Sequence, residues 1–337
     1  MLFTSMVPTT RVRSATSAVC VAVAVLVGAC SSEPAVFAGA DGTPRVQLVV
    51  PSDAGGGYDL TARNLTQALG SGTPGSTDPE YDVVVLPGSG GIVGLGRLAL
   101  ERGNPDLAMV MGLGLIGALE TTESDNSLSE ATPVAKLLEE PEVVLVPANS
   151  PLRTMNDLVD AWRADPSALS FAGGSAEGGP DGLFRILLAR AIGVDPSASQ
   201  YRQYEGGGQL LPALLTGDVD VATTGVSEYL DQISAGTVRA LAISTDERVP
   251  VVDAPTAREA GVDVVFANWR GLLAPPGITP DQATTWTDRI RDLDTSGRWQ
   301  DILTRNGWRS SILTGSDFAD FLGEQARFVH ETLTVTP

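Results

Sequence analysis

The chain has 337 residues, 43% hydrophobic and 19% charged, a globular composition long enough for two cored domains and incompatible with a disordered chain. With 41 acids against 22 basic residues its net charge is −19, which sets nucleic acid aside as a partner. Only one lysine, Lys136, and one histidine, His330, are present, so Walker-type nucleotide binding lacks its lysine and a Ser-His-Asp triad would depend on a residue near the C-terminus.

In chain order, Arg11 and Arg13 precede an apolar run from Ala15 to Val27. It is too short to span a bilayer comfortably and suits the core of a signal peptide. It closes on Val27-Gly28-Ala29-Cys30, which resembles the lipobox of bacterial lipoproteins, where cleavage precedes a lipid-modified cysteine. A plain secretory signal cut near Ala29 is the alternative. Cys20 leaves with the signal, so no internal disulfide can form. Residues 30–44 are expected to be a tether, and the working protein to be extracytoplasmic and held on the cell membrane through Cys30.

From residue 45 the chain alternates strand-like and helix-like segments, the pattern of an α/β fold with parallel sheets. RVQLVV runs into the loop SDAGGGYD and then a helix with Leu65, Ala68 and Leu69 on one face. YDVVVLP leads through GSGG to IVGLGRLALE, and DLAMVMG leads to another glycine-rich turn. TPVAKLLEEPEVVLVP gives two strands. A second series opens with a capping box, Thr154 with Asp157, ahead of a helix that buries Met155, Leu158 and Trp162. LSFAGGSAEGGPDG, YRQYEGGGQ and VDVATTGVSEY each lead into a helix, and VRALAIS closes the series. VDVVFANWRGLLAPPG is expected to be one long strand, and the chain from Thr279 to be mostly helical. The pattern gives two α/β lobes, residues 45–147 plus 268–337 and residues 148–267, crossed near VVLVP and FANWRG.

Strand, glycines with small polar residues, then helix: that unit occurs five times. A glycine loop costs backbone stability, and a tight turn, a phosphate cradle or another anion pocket would each account for it. At a helix N-terminus such a loop offers free N–H groups where the dipole favours negative charge. In open α/β sheets these loops meet at the carboxyl ends of the strands, facing a cleft. Five together favour a shared cradle for carboxylates, with hydroxyls from Ser52, Ser89, Ser175 and Ser227. No His, Cys and Asp spacing suits a metal, and no cofactor is expected. An anchored α/β hydrolase or transferase using a loop serine is the competing reading, but it lacks a well-placed general base. A purely structural lipoprotein would leave the glycine loops without a purpose.

VVPSDAGGGYDLTAR resembles the first-loop signature of the tripartite tricarboxylate transporter receptors, also called the Bug family. PGSGGIVGLGRLA, FAGGSAEGGPDG, YEGGGQLLPALLTGDVDVATTGVSEYLDQI, VRALAIST and FANWRGLLAPPGITPD resemble it too, in order, over nearly all of residues 45–325. The resemblance implies a two-lobed periplasmic-binding-protein fold of type II and no enzymatic activity. It implies a receptor that binds small di- or tricarboxylates and hands them to the permease subunits of a membrane transporter. First-lobe contacts carried over by motif are Ser52, Gly55, Gly56, Gly57 and Asp59, with Ser89, Gly90 and Gly91. The second lobe would supply Ser175, Gly178, Gly179, Asp181 and Gly207, with Ser227 and Glu228. Asp59 is expected to cap the helix rather than touch ligand. Arg270, at the second crossing, suits either an interlobe salt bridge or a planar fork for a carboxylate. One departure stands out: Pro180-Asp181-Gly182 replaces the Thr-Asp-His frequent among close family members.

Overall fold

The computed structural model describes residues 44–70 and 79–334; the expected signal peptide, Cys30 and nearly all of the expected tether lie outside them. Within the described residues, two sheets are built on one plan. The first is six-stranded. Its strands are β1 (Arg45–Val50), β2 (Glu80–Val85), β3 (Leu107–Gly112), β4 (Thr132–Glu140), β10 (Asn268–Ala274) and β11 (Arg309–Thr314). The second has five: β5 (Glu142–Pro147), β6 (Ser170–Gly173), β7 (Gln200–Gln203), β8 (Val221–Gly225) and β9 (Val238–Ile243).

The first sheet runs β2-β1-β3-β10-β4-β11 and the second β7-β6-β8-β5-β9. In each, the first three strands of the order are parallel. The fourth is antiparallel to both neighbours, and it is the strand that follows a crossing from the other sheet. The sheets change hands at Pro141, between β4 and β5, and again between Ile243 and Asn268. We therefore draw the first boundary at Pro141 rather than Pro147, because Glu142–Pro147 pairs with β8 and β9.

Two other expectations change. The long strand shrinks to Asn268–Ala274, buried at all seven positions. Val262, Val264 and Phe266 before it are buried on alternate residues, and Val264 closes a local turn onto the Val262 carbonyl. The C-terminal segment contains an unforeseen edge strand, β11, whose half-buried Ser310 to Thr314 give little hydrophobic alternation.

Helices α1 (Gly57–Leu69), α2 (Ile92–Leu100) and α3 (Leu113–Thr121) serve the first sheet. Helices α4 (Met155–Ala164), α5 (Pro180–Ala191), α6 (Gly207–Thr216) and α7 (Leu230–Ser234) serve the second. The capping box of α4 forms as its sequence demands: Asp157 N–H donates to Thr154 Oγ1 at 3.1 Å and Thr154 N–H to the Asp157 carboxylate at 2.9 Å. Helices α8 (Pro280–Thr295) and α9 (Gly297–Asn306) cover the first sheet through Trp286, Ile290, Leu293, Trp299 and Leu303. Helix α10 (Gly315–Thr334) does more than return to the first lobe. Its Phe328 packs on Phe266, itself stacked on Phe184 of α5 with centroids 5.9 Å apart. Arg190 of α5 donates to the Thr332 carbonyl at 2.8 Å. One hydrophobic core cluster thus runs through both lobes.

Ser244 fastens the two crossings together. Its buried hydroxyl accepts from Glu142 N–H at 2.9 Å and donates to the Phe266 carbonyl at 2.6 Å. Its backbone meets the same two residues, at 2.8 Å each. Ser244→Ala should strand a buried donor and acceptor and lower unfolding free energy by about 1–3 kcal/mol. Chemical denaturation would read it, and an unchanged midpoint would remove this role.

Candidate functional site

The chain leaves β1 through Pro51-Ser52-Asp53 and enters α1 at three glycines, each there for its own reason. Gly55 has φ +87°, a left-handed conformation that suits glycine. Gly56 caps the helix at φ −82° and would meet only ordinary contacts if it carried a Cβ. Gly57 has no such room, because a Cβ there would fall inside the Arg270 guanidinium. Asp59 does not enter the cleft; its buried carboxylate accepts from Gly55 N–H at 2.9 Å and pairs with Arg63 at 2.9 Å.

A cleft with about 830 Å³ of empty space, partly open to solvent, lies where these loops meet. From the first lobe it is lined by Ser52, Gly56, Gly57 and Gly90, and from the second by Ser175, Asp181 and Glu228, with Arg270 on β10. These expected residues do come together. The others lie outside the lining, held by local work. Gly55 serves the Asp59 turn. Ser89, at φ 48°, and Gly91, packed on Pro51 and Leu115, shape the turn before α2. Gly178 abuts Gly117 of α3, and Gly179 caps α5. Gly207 N–H donates to the Glu228 carboxylate at 3.1 Å, and its carbonyl accepts from the Tyr229 hydroxyl at 2.9 Å. Ser227 gives both its N–H and its hydroxyl to Glu140.

Sequence reasoning missed Tyr58, Tyr204, Glu205 and Asn268, which also line the cleft. Tyr58 sits inside the quoted signature, and its ring rests where Gly112 and Gly114 leave space; a Cβ on Gly114 would lie 2.9 Å from the hydroxyl. Its hydroxyl accepts from Leu115 N–H at 3.3 Å. Alternation along β10 could have found Asn268, two residues before Arg270.

The floor is electrostatically dense. Arg270 and Glu140 form an ion pair with side chains 3% and 0% exposed. Glu142 accepts from Asn268 Nδ2 at 2.9 Å and lies in hydrogen-bond contact with Asp181. Burial pushes Glu142 well above the usual carboxyl range, and the Asp181 and Glu140 charges add to it. Burial likewise raises Asp181 to about 7, against the Ser175 hydroxyl and the Gly174 N–H. Glu228 rises to about 8 through burial and the nearby Glu140 and Asp181, with Arg270 opposing. Burial alone would lower Arg270, but Glu140 and Glu228 carry it above its ordinary value. Burial also raises the Tyr58 hydroxyl to about 12.

At the Pro180-Asp181-Gly182 departure, the third position is sterically closed to a side chain. A Cβ on Gly182 would run into the Glu177 backbone, which the buried Arg185 holds through an ion pair to the Glu177 side chain. An imidazole at 182 has no space. None of the four loop serines is bonded to a histidine: His330 pairs with Glu120 at 2.6 Å. Among the described residues no group of His, Cys, Asp and Glu is arranged to hold a metal ion.

A family model for the tripartite tricarboxylate transporter family receptor matches residues 83–331. A UPF0065 protein from the TAR-I ttuE-ttuC' intergenic region of Agrobacterium vitis is 28% identical over 236 residues, 68% of this chain and 65% of that protein. The chain therefore spans about two thirds of that relative's length. Among solved structures, Rpa4515 of R. palustris with adipate is similar at a TM-score of 0.77 and 24% identity, over 87% of this chain and 98% of that one. MatC of Rhodopseudomonas palustris with bound malate is similar at 0.72 and 24%, over 86% and 99%. Both likenesses establish the two-lobed fold.

The glycines at 56 and 57 separate sharply. Gly57→Ala should cost roughly 1–3 kcal/mol of stability by displacing Arg270, whereas Gly56→Ala should change it by less than about 1 kcal/mol. Equal denaturation midpoints for the two variants would dissolve the Gly57–Arg270 contact as a constraint.

Proposed function

Because this chain belongs to the tripartite tricarboxylate transporter receptor family, we propose that it is an extracytoplasmic solute receptor for a small organic carboxylate. The family's receptors are not enzymes, and a binding role is the one this cleft suits. The observation that carries the reading is the convergence of the α1 N-terminus, the second-lobe loops and Arg270 on one cleft. An α-helix N-terminus presents N–H groups without intrahelical partners and a positive dipole end, both favourable to a carboxylate. The bound acids of the two structural neighbours, adipate and malate, are of this class. We take Ser52, Gly56, Gly57, Gly90, Ser175, Asp181, Glu228 and Arg270 as its contact residues.

Delivery of the acid to permease subunits of a tripartite transporter, and anchoring through Cys30, complete the proposal. The family supports the first; the VGAC sequence supports the second, since two or more acyl chains hold a protein at a bilayer where one is marginal. Cys30→Ser should therefore release the protein from the membrane fraction or leave an unprocessed precursor. Maturation and fractionation like wild type would discard the anchor.

A panel of mono-, di- and tricarboxylates, with and without amino groups, tests binding itself. At least one should raise the melting temperature, by an amount that grows with concentration, because ligand bound only to the folded state stabilises it by mass action. The acid should be recovered unchanged. Turnover would transfer the case to a loop serine, and a panel with no hit would end the receptor reading.

A further inference from the structure

Charge narrows which acid fits. The cleft is lined by four carboxyl groups, Asp53, Asp181, Glu205 and Glu228, and by one cation, Arg270. That cation is already matched by the buried Glu140. Glu142 lies behind Asp181, adding a further carboxyl to the same floor. One ligand carboxylate is accommodated at the α1 N-terminus by backbone N–H groups. A second has no counter-ion in the lining: it must lie beside a carboxyl that repels it or that stays protonated to receive it.

A ligand ammonium reverses this. It offers three donors to groups that are acceptors only when ionised, and charge-assisted hydrogen bonds are the strong ones. It would also give Asp181 and Glu228 the partner that buried carboxylates require. We propose that the ligand is a small zwitterion of the amino-acid type, its carboxylate against the N-terminus of α1 and its ammonium between Asp181 and Glu228. This rests on the carboxylate-receptor reading and specifies its chemistry.

Proton traffic gives the proposal a sign. Glu228 faces Glu140 of β4, Arg270 of β10, Asp181 of α5 and the Gly207 N–H of α6, with the Tyr229 hydroxyl beside it. Asp181 faces Glu142 of β5, Glu140 and the Ser175 hydroxyl, and acts in turn on Tyr201 of β7 and Tyr58 of α1. With Glu228 at about 8 and Asp181 at about 7, the empty cleft holds protons at neutral pH. An ammonium favours the ionised carboxylates and expels those protons, so its binding strengthens from about pH 6 to about pH 8. A second ligand carboxylate would do the opposite, taking up protons and binding better in acid.

The experiment is calorimetric titration of the purified receptor at pH 6 and pH 8, in buffers of different ionisation enthalpy. The probes are glycine, L-aspartate, L-glutamate and 4-aminobutyrate beside acetate, succinate, glutarate and butyrate, with malate, adipate and citrate added. At least one amino compound should bind tenfold or more tightly than its deaminated counterpart and release protons. Glu228→Gln, which keeps an acceptor for Gly207, and Asp181→Asn should each weaken it ten- to a hundredfold and narrow its preference over the deaminated acid. Melting temperatures of the variants separate this from misfolding. Equal binding of the deaminated acid, proton uptake, or unchanged affinity in both variants would overturn the proposal. Binding of di- or tricarboxylates alone would overturn it and leave the carboxylate receptor standing; binding of no acid at all would remove both.

Discussion

The buried pair of Arg270 and Glu140 is the constraint around which the site is arranged. Glu140 is the last residue of β4 before the chain crosses, and Arg270 lies on β10 just after it returns. Both side chains are almost sealed from solvent. Two charges taken out of water need close mutual pairing and further hydrogen bonds, and removing either partner costs about 3–5 kcal/mol. Those further bonds come from the second lobe, where Ser227 turns its N–H and hydroxyl to Glu140. The first lobe adapts as well, since Gly57 carries no side chain where the guanidinium lies. One ion pair thus brings together a glycine on α1 and a serine after β8.

Most of the fold was legible because its cause is local. Repeated strand-glycine-helix units dictate α/β lobes, and the capping box of α4 needs only Thr154 and Asp157. The strand β11 was not legible, since its half-buried residues give little periodic signal and its place comes from pairing with β4. The crossing at Pro141 was also hidden: TPVAKLLEE and EVVLVP both read as strands with only Pro141 between them, and only pairing partners reveal that they belong to different sheets. In the site, the motif led to the loops that meet at the cleft but to only some of the residues that line it. Gly56 and Gly57 look alike in sequence, and only a side chain more than two hundred positions away distinguishes them. Acidity was the least visible feature. Asp181, Glu140, Glu142 and Glu228 are scattered among 41 acids and become a cluster only when β4, β5, α5 and the turn after β8 converge.

At two points the lobes also meet backbone to backbone. Gly56 faces Gly206 at the cleft, where a Cβ on Gly206 would lie 3.7 Å from the Gly56 Cα. Gly117 of α3 meets Gly178 so closely that neither could carry a side chain without displacement. A side chain on Gly117 or Gly178 would force α3 and the turn before α5 to move apart. Without side chains there, the two backbones can lie in direct contact.

The exchange of strands between sheets also sets an order of assembly during synthesis. All five strands of the second sheet lie between residues 142 and 243, so that lobe can close as soon as β9 has left the ribosome. The first sheet begins earlier and finishes later. Its β3 and β4 are not neighbours until β10 slots between them, and β10 starts at Asn268. Until then the first lobe is a three-stranded fragment with an open parallel edge, the kind of exposed edge that invites mispairing. Its completion waits on contacts far apart in sequence, which form slowly. The half of the receptor made first is thus the half that must be kept from aggregating longest.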